Sequence, residues 1–193
     1  MASTEKSATL FASGKRRKTT GDDGDEAERG GGSLVSVIMP CHNAATWLPE
    51  ALHSVLHQSH RPLELSFWDD GSTDGSGDLV CCDEWLQKFR NADVTVIIGR
   101  TPDSDGSAGA PKGAGYAKNM AVQNSRGAYL AFLDSDDMAD PHRIEQQLAC
   151  IGRHPEASRV LVGANFRREP PGATPRYTEQ LNALTNEQLM LQR

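Results

Sequence analysis

Long apolar segments are absent from this chain of 193 residues, and their absence limits the class of protein it can be. No run approaches the roughly 18 apolar residues that a membrane-spanning helix needs, so the sequence excludes a transmembrane segment. Residues 1–32 carry no apolar signal segment either. Apolar residues make up only 37% of the chain, whereas 18 Gly and 10 Pro indicate extensive loops. The composition therefore favours a soluble, loop-rich protein.

Cysteine is scarce, and acidic residues outnumber basic residues by 26 to 20. The four cysteines show neither CxxC spacing nor a secreted context, so we interpret them as reduced thiols rather than as a zinc site. His53 and His57 stand four residues apart, but no Glu follows the first histidine as in an HExxH zinc motif, which favours positions flanking the apolar stripe of a helix. The formal net charge of −6 argues against non-specific binding to nucleic acid.

Large apolar residues are rare in residues 1–32, which consist mainly of Ser, Gly, Lys, Asp and Glu. Such a composition does not bury enough apolar surface to offset the entropy of ordering, so we predict a disordered polar tail. Its basic run Lys15–Lys18 has two interpretations, a nuclear address or a solvated charge cluster. Acidic residues within 22–28 follow at once and would mask the run. We therefore expect a cytoplasmic protein, with nuclear localisation as the alternative.

From Leu34 onward, strand and helix patterns alternate. The predicted strands are 34–39, 63–68, 94–98, 129–133 and 158–163, and the predicted helices are 47–56, 76–90, 114–125 and 141–153. Pro40 is expected to stop the first strand, Thr46 to cap the first helix, and Pro49 to lie in its first turn. Strands and helices in this order predict a mainly parallel, three-layer α/β sheet.

Regular patterns lapse after Phe166 and return at 185–188, where Thr-Asn-Glu-Gln has the form of a capping box that opens a helix. The sequence stops inside that predicted helix. We therefore divide the chain into a tail (1–32), an α/β domain (33–166) and a connection with a partial helix (167–193). An interrupted helix should leave apolar surface near residues 160–191 uncovered, so we expect marginal stability or self-association.

Polar residues follow three of the predicted strands, at 40–43, 69–74 and 134–137. In open α/β sheets, ligands bind beyond the carboxyl ends of the strands. Asp134, Asp136 and Asp137 would repel one another unless a cation lies among them, and Mg²⁺-like ions prefer carboxylate oxygens together with phosphates. The pattern indicates a metal–phosphate site. Asx turns are the alternative explanation, and they are favoured for Asp74.

Basic residues near the Gly-rich stretch 101–115 could contribute charge to a pyrophosphate. Lys118 and Arg126 are the candidates, although a solvated helix position is an equal explanation for Lys118. Neither the GK[ST] of a P-loop nor a GxGxxG fingerprint is present, which argues against both classical nucleotide-binding loops.

Four segments resemble, in order, the family 2 glycosyltransferases, which have the GT-A fold. They are Val35–Asn43, Asp69–Asp74, Gly115–Asn119 and Leu133–Asp137. Looser similarity, over 96–119, 166–171 and 176–178, resembles the narrower β-1,3-N-acetylglucosaminyltransferase-like protein 1 group. The resemblance implies that 33–166 forms the nucleotide-sugar-binding part of a GT-A domain that is incomplete in its acceptor half.

The resemblance also implies roles for individual residues. Asp70 matches a carboxylate that contacts uracil. Lys118 stands where the family usually has Arg, so charge is retained and bidentate contact is lost. Asp134-Ser135-Asp136 matches the DXD motif, with Asp136 and Asp134 as ligands of Mn²⁺ or Mg²⁺ and Asp137 supporting the sugar or the metal ligands. The implied donor-binding residues are Pro40, His42, Asn43, Asp69, Asp70, Lys118, Asp134, Ser135 and Asp136.

The expected function is inverting transfer of a hexosyl or N-acetylhexosaminyl group from a UDP-sugar to an unidentified acceptor hydroxyl. The general base of the family lies downstream of DXD, and here no downstream residue matches it convincingly. Glu179 and Glu187 are acidic but fall in the connecting and capping segments. A catalytically inactive nucleotide-sugar-binding or interaction module is therefore the alternative. A nucleotidyltransferase is disfavoured, because residues 40–43 are not a Gly-rich basic loop.

Overall fold

A computed structural model describes residues 10–12, 32–102, 109–153, 160–168 and 174–185. The strands are β1 (Leu10–Ala12), β2 (Val35–Cys41), β3 (Leu63–Asp69), β4 (Val94–Arg100), β5 (Tyr129–Phe132) and β6 (Leu161–Val162). The helices are α1 (Leu48–Leu56), α2 (Ser76–Cys81), α3 (Asp83–Asn91), α4 (Ala114–Asn124), α5 (Arg143–Gly152) and α6 (Pro175–Asn182).

The strands form one sheet in the order β4-β3-β2-β5-β1-β6. Strands β4, β3, β2 and β5 are mutually parallel, whereas β1 runs antiparallel to both β5 and β6. Every residue of β2 and β3 is buried, as expected for central parallel strands covered on both faces. The predicted mainly parallel α/β sheet is confirmed.

Apolar side chains pack on both faces of the sheet. The larger cluster joins alternate residues of β2, such as Val37 and Met39, to the apolar stripes of α1, α3 and α5. The smaller cluster joins Ile38, on the other face of β2, to Ala117 and Ala121 of α4. Helices therefore cover both faces of the sheet. Because β4, β3, β2 and β5 are parallel, their carboxyl ends lie along one edge.

Several predicted boundaries are wrong in detail. Pro40 does not stop β2, which continues to Cys41, because pairing with β5 ends at Ile38 and only β3 accompanies the strand beyond that point. Thr46 does not cap α1, since the N-cap is Trp47 and makes no side-chain capping bond. The predicted position of Pro49 in the first turn is confirmed.

The predicted helix 76–90 is divided into α2 and α3. Cys82 separates them with an extended backbone, at φ −68° and ψ 149°. Helix α6 lies where the sequence pattern had lapsed, with Pro175 in its first turn, a position that tolerates the missing N–H. The helix predicted from the capping box at 185–188 lies largely outside the described residues.

Leu10–Ala12, within the predicted disordered tail, forms β1, and disorder of the rest of residues 1–32 stays a prediction. This triplet is an apolar island in the polar segment, and its backbone pairs with both β5 and β6. No helix of the described residues is long and apolar enough to cross a bilayer. Leu161 of β6 is 50% exposed, and self-association through the region near 160–191 stays a prediction.

Candidate functional site

Three carboxylates converge just beyond β5. Oxygen atoms of Asp134, Asp136 and Asp137 lie within 4.8 Å of one another. A turn closed by the bond from Asp137 N to Asp134 O, 3.1 Å long, brings these residues together. Asp134 and Asp136 are half-buried, whereas Asp137 is buried. Oxygen ligands at this spacing fit a hard divalent cation such as Mg²⁺ or Mn²⁺.

A lysine from α4 reaches this acidic cluster. Lys118 Nζ lies 2.8 Å from Asp134 Oδ1, and both side chains are partly exposed. The other basic candidate is placed elsewhere. Arg126 Nε binds Glu64 Oε2 at 2.8 Å, and Glu64 is fully buried near the start of β3. The interpretation of Arg126 as a pyrophosphate ligand is wrong, because the opposite edge of the sheet holds its side chain.

Arg143, which the sequence analysis missed, lies behind the cluster. Its side chain is buried, and Nη2 donates to the backbone oxygen of Phe132 over 3.1 Å. Burial lowers the pKa of Arg143 to about 10, and the charge of Asp137 acts in the opposite direction. The guanidinium therefore stays charged at neutral pH. One feature of the sequence could have indicated Arg143: it places a positive charge in the first turn of a predicted helix, where the helix dipole disfavours positive charge.

Asp70, directly after β3, binds the segment that leads into α4. Its Oδ2 accepts hydrogen bonds from the backbone N–H of Lys112 at 2.9 Å and of Gly113 at 2.7 Å. Its Oδ1 accepts from the Thr101 hydroxyl at 2.6 Å and from Lys112 N at 3.1 Å. Burial opposes ionisation of this carboxyl, but these hydrogen bonds outweigh it and lower the pKa of Asp70. Gly113 permits the connection, since its φ is +98°.

Asp69, the last residue of β3, and Asp74, in the loop that follows, stabilise this loop. Asp69 is fully buried, accepts from Ser72 N at 2.9 Å and places Oδ2 3.3 Å from Arg100 Nε. Asp74 accepts from the backbone N–H of Ala45 and Ser76, at 2.9 and 3.0 Å. The bond from Asp74 to the N–H two residues later is an Asx turn, which confirms the structural interpretation of Asp74.

The end of β2 is tied to the same loop. His42 Nδ1 lies 2.8 Å from the backbone oxygen of Asp70. Asn43, in a left-handed conformation with φ 50°, accepts at Oδ1 from Thr73 N at 2.9 Å. Both side chains are exposed, whereas Pro40 is buried within β2. His42 and Asn43 therefore present polar atoms at the edge that carries the acidic cluster.

The three predicted segments meet at one buried thiol. Burial raises the pKa of Cys41, which is only 2% exposed. The side chains of Ser76 and Ser72, which follow β3, and of Ser135, which follows β5, act in the opposite direction and lower this pKa in part. The structure thus places residues of these three segments around one thiol, and the donor-binding roles of the residues named from the sequence stay a prediction.

The sequence model of glycosyl transferase family 2 matches residues 36–191. The chain belongs to this family. It is 37% identical over 115 residues to the putative teichuronic acid biosynthesis glycosyltransferase TuaG of Bacillus subtilis, which covers 60% of this chain and 40% of TuaG. It is 32% identical over 112 residues to glycosyltransferase GlyG of Streptococcus pneumoniae, covering 58% and 33% of the two chains.

Solved structures of glycosyltransferases are also similar. TarS 1–349 of S. aureus in complex with UDP-GlcNAc has a TM-score of 0.49 and 27% identity, over 63% of this chain and 32% of that one. Mannosyltransferase PcManGT from Pyrobaculum calidifontis, in complex with GDP-Man and Mn²⁺, has a TM-score of 0.47 and 25% identity, over 63% and 32%. The chain spans well under half the length of these proteins.

The downstream acidic residues add no base to the site as described. Glu179 is exposed on α6, and Glu187 lies outside the described residues. The acidic groups that the described residues gather at the sheet edge are thus those of the cluster and of the loop after β3.

Proposed function

We propose that this family 2 chain binds a UDP-sugar through Mn²⁺ or Mg²⁺ held by Asp134 and Asp136. The observation that carries the proposal is the convergence of three carboxylates within 4.8 Å at the edge of the sheet where ligands bind. Lys118, 2.8 Å from Asp134, supplies a cation beside the position proposed for the diphosphate. Ser135 and Asp137 complete the same turn and support the two ligands.

The chemistry expected of this site is inverting transfer to an acceptor hydroxyl. The bound metal would offset the charge that develops on the leaving diphosphate. The chain's own residues bind and orient the donor, with His42, Asn43 and Pro40 beside the nucleoside. No residue is assigned as the base that deprotonates the acceptor. The transferred group in this proposal is a hexosyl or N-acetylhexosaminyl group.

Asp70 has a different immediate role in our proposal from the uracil contact that the family resemblance implies. Its two oxygens already accept from three donors, the Thr101 hydroxyl and the N–H groups of Lys112 and Gly113, with the Lys112 N–H shared between both oxygens. A uracil in contact with Asp70 would have to share the carboxylate with these donors. We infer that Asp70 primarily holds the Lys112–Gly113 backbone in position beside the donor.

Calorimetric titration of UDP with and without Mn²⁺ tests the proposal. We expect binding that depends on Mn²⁺, and a loss of affinity of more than about tenfold in Asp136→Asn, because a charged carboxylate ligand is replaced by a neutral amide. Asp78→Asn is the matched control, since its side chain is 89% exposed and lies outside the cluster. Equal metal-dependent affinity in wild type and Asp136→Asn would contradict the assigned site.

A donor-hydrolysis assay separates the enzyme from the inactive module. Release of UDP from UDP-N-acetylglucosamine or UDP-glucose, dependent on Mn²⁺ and lost in Asp136→Asn, supports the transferase. Tight binding of UDP without turnover of any donor supports the binding module instead.

A further inference from the structure

Two histidines at the carboxyl end of α1 belong neither to the acidic cluster nor to the loop after β3. His53 lies in the last turn of α1, and His57 is its C-cap residue. The backbone N–H of His57 donates to the His53 oxygen at 3.1 Å, so the helical spacing continues through His57. Residues four positions apart are neighbours on one helix face. Both side chains are exposed, and their ring centroids lie 6.1 Å apart.

A second hydrogen bond fixes the tautomer of His57. Its Nδ1 lies 2.7 Å from the backbone oxygen of His53, which can only accept, so Nδ1 carries the proton. In the neutral imidazole, Nε2 is therefore the nitrogen with a lone pair for a metal ion. Metal-binding histidines usually donate the other ring N–H to a carbonyl or carboxylate, which orients the ring and raises its basicity. The His57 ring already has this supporting bond.

Packing against α3 restricts the ring of His53. It meets the Trp85 ring in an edge-to-face arrangement, with centroids 4.9 Å apart and an interplanar angle of 62°. Trp85 is only 6% exposed and belongs to the larger apolar cluster, so it is a rigid support. A side chain that is already restricted loses less conformational entropy when it binds a ligand.

The electrostatic surroundings favour a cation at this helix end. The last carbonyl groups of a helix carry partial negative charge, which attracts cations. Glu84, in the first turn of α3, lies close enough to His53 for their charges to interact. Lys88 binds Glu84 at 2.7 Å and offsets its charge. The Glu84–Lys88 pair is therefore close to neutral, and the end of α1 supplies the net attraction.

Two imidazole nitrogens select the chemistry of the ion. Zn²⁺, Ni²⁺ and Cu²⁺ bind imidazole well, whereas Mg²⁺ and Mn²⁺ prefer carboxylate and water oxygens. Two rings that share an ion at about 2.0–2.1 Å from each nitrogen have centroids roughly 5 Å apart, so the observed 6.1 Å requires only a small rotation of exposed side chains.

We propose that His53 and His57 form a metal site, separate from the acidic cluster, that binds a divalent transition ion of the Zn²⁺ class. The two imidazoles are the protein ligands, and water or the Glu84 carboxylate, which is 74% exposed, completes the coordination. The site does not depend on the proposed donor site, because its ligands and its preferred ion are different. The two rings are neighbours only while α1 is helical, so the ion should bind the folded chain and stabilise it.

Calorimetric titration with Ni²⁺ at about pH 8, where imidazoles are neutral, tests the site. The exposed thiols are alkylated first because they also bind such ions, and excess Mg²⁺ is present to compete at the acidic cluster. We expect one Ni²⁺ per chain and a loss of affinity of at least about tenfold in His53→Gln and in His57→Gln, because each variant keeps a single imidazole. His142→Gln is the matched control, since its ring is 63% exposed and lies at the start of α5.

Urea unfolding gives an independent measurement on the same samples. Ni²⁺ should raise the urea midpoint of the wild type and of His142→Gln, and should leave the midpoints of His53→Gln and His57→Gln unchanged. Equal Ni²⁺ affinity in His53→Gln and His142→Gln would overturn the inference. Loss of Ni²⁺ binding in Asp136→Asn would overturn it as well, because the ion would then lie in the acidic cluster.

Binding of UDP with Mn²⁺ keeps the two metal proposals apart. His53→Gln should lose Ni²⁺ binding and retain Mn²⁺-dependent binding of UDP, whereas Asp136→Asn should show the reverse. Ni²⁺ binding at the histidines without any UDP binding contradicts the donor site alone. UDP binding without Ni²⁺ binding contradicts the histidine site alone.

Discussion

Lys118 Nζ lies 2.8 Å from Asp134 Oδ1, so a cation of the chain already neutralises part of the acidic cluster. The lysine side chain is 36% exposed and the aspartate 26%, which limits the strength of the pair to about 1 kcal/mol. A divalent ion bound by Asp134 must share this carboxylate with Lys118 or displace it. Lys118 should therefore weaken the binding of a metal ion alone and strengthen the binding of a metal ion together with a diphosphate.

Replacement of Lys118 by Met should separate these effects. Affinity for Mn²⁺ alone should rise by about two- to fivefold, because a competing cation is removed. Affinity for UDP in the presence of Mn²⁺ should fall, because the diphosphate loses a positive charge. Calorimetry measures both. Lys88→Met is the control, since its ammonium group pairs with Glu84 on α3, outside the acidic cluster. A fall in both affinities would show that Lys118 does not compete with the metal.

Asp70→Asn should destabilise the fold. The amide places a donor against the N–H groups of Lys112 and Gly113, which now face a carboxylate oxygen. We expect a loss of about 3 kcal/mol in the free energy of unfolding at neutral pH, measured with urea. Asp78→Asn, at an 89% exposed side chain, should change stability little. An unchanged urea midpoint in Asp70→Asn would contradict the assigned hydrogen bonds.

Asp70 should also make the free energy of unfolding depend on pH in the acid range. The pKa of Asp70 is lowered in the folded state from its ordinary value of 3.8. Its contribution is therefore complete above about pH 4 and is lost as pH falls through the folded-state pKa. The stability difference between wild type and Asp70→Asn should be constant from pH 5 to 7 and shrink below about pH 4. Urea unfolding at each pH measures this difference.

Gly77→Ala should disturb the ion pair beneath the loop after β3. A Cβ at this position would meet Asp69 Oδ2 and lie 2.6 Å from Arg100 Nη2. Arg100 can move, but Asp69 is buried and binds Ser72 N, so we expect a loss of about 1–2 kcal/mol by urea unfolding. Gly152→Ala is the control, because nothing lies within 4 Å and Ala favours the helix. Equal stability of the two variants would contradict this packing.

Residue types at strand ends were sufficient to predict the acidic cluster, because parallel topology forces such residues to one edge. Lys118 and Arg126 could not be distinguished in the same way. They lie eight positions apart in sequence, yet one binds Asp134 and the other binds Glu64 at the opposite edge. Only the direction of α4 across the sheet decides between them.

Other contacts could not be predicted, because their partners are distant in sequence or their sequence patterns are too short to recognise. The backbone donors to Asp70 lie 42 and 43 residues downstream, and a backbone N–H has no signature in the sequence. The three residues of β1 are too few to show a period, and the polar composition around them dominates the pattern. Their place in the sheet comes from unpaired backbone groups at the β5 edge, which a sequence pattern does not display.

Deletion of residues 1–31 should therefore reduce stability more than the polar composition of that segment suggests. Strand β1 lies between β5 and β6, so its loss exposes the edge of β5 and removes the strand partner of β6. A strand of three residues makes few bonds, and we expect a loss of about 2 kcal/mol in thermal or urea unfolding. Light scattering should show increased association through the open edge. Deletion of residues 1–8 is the control, since it leaves β1 intact and should be neutral. If both deletions unfold at the wild-type midpoint, β1 does not stabilise the sheet.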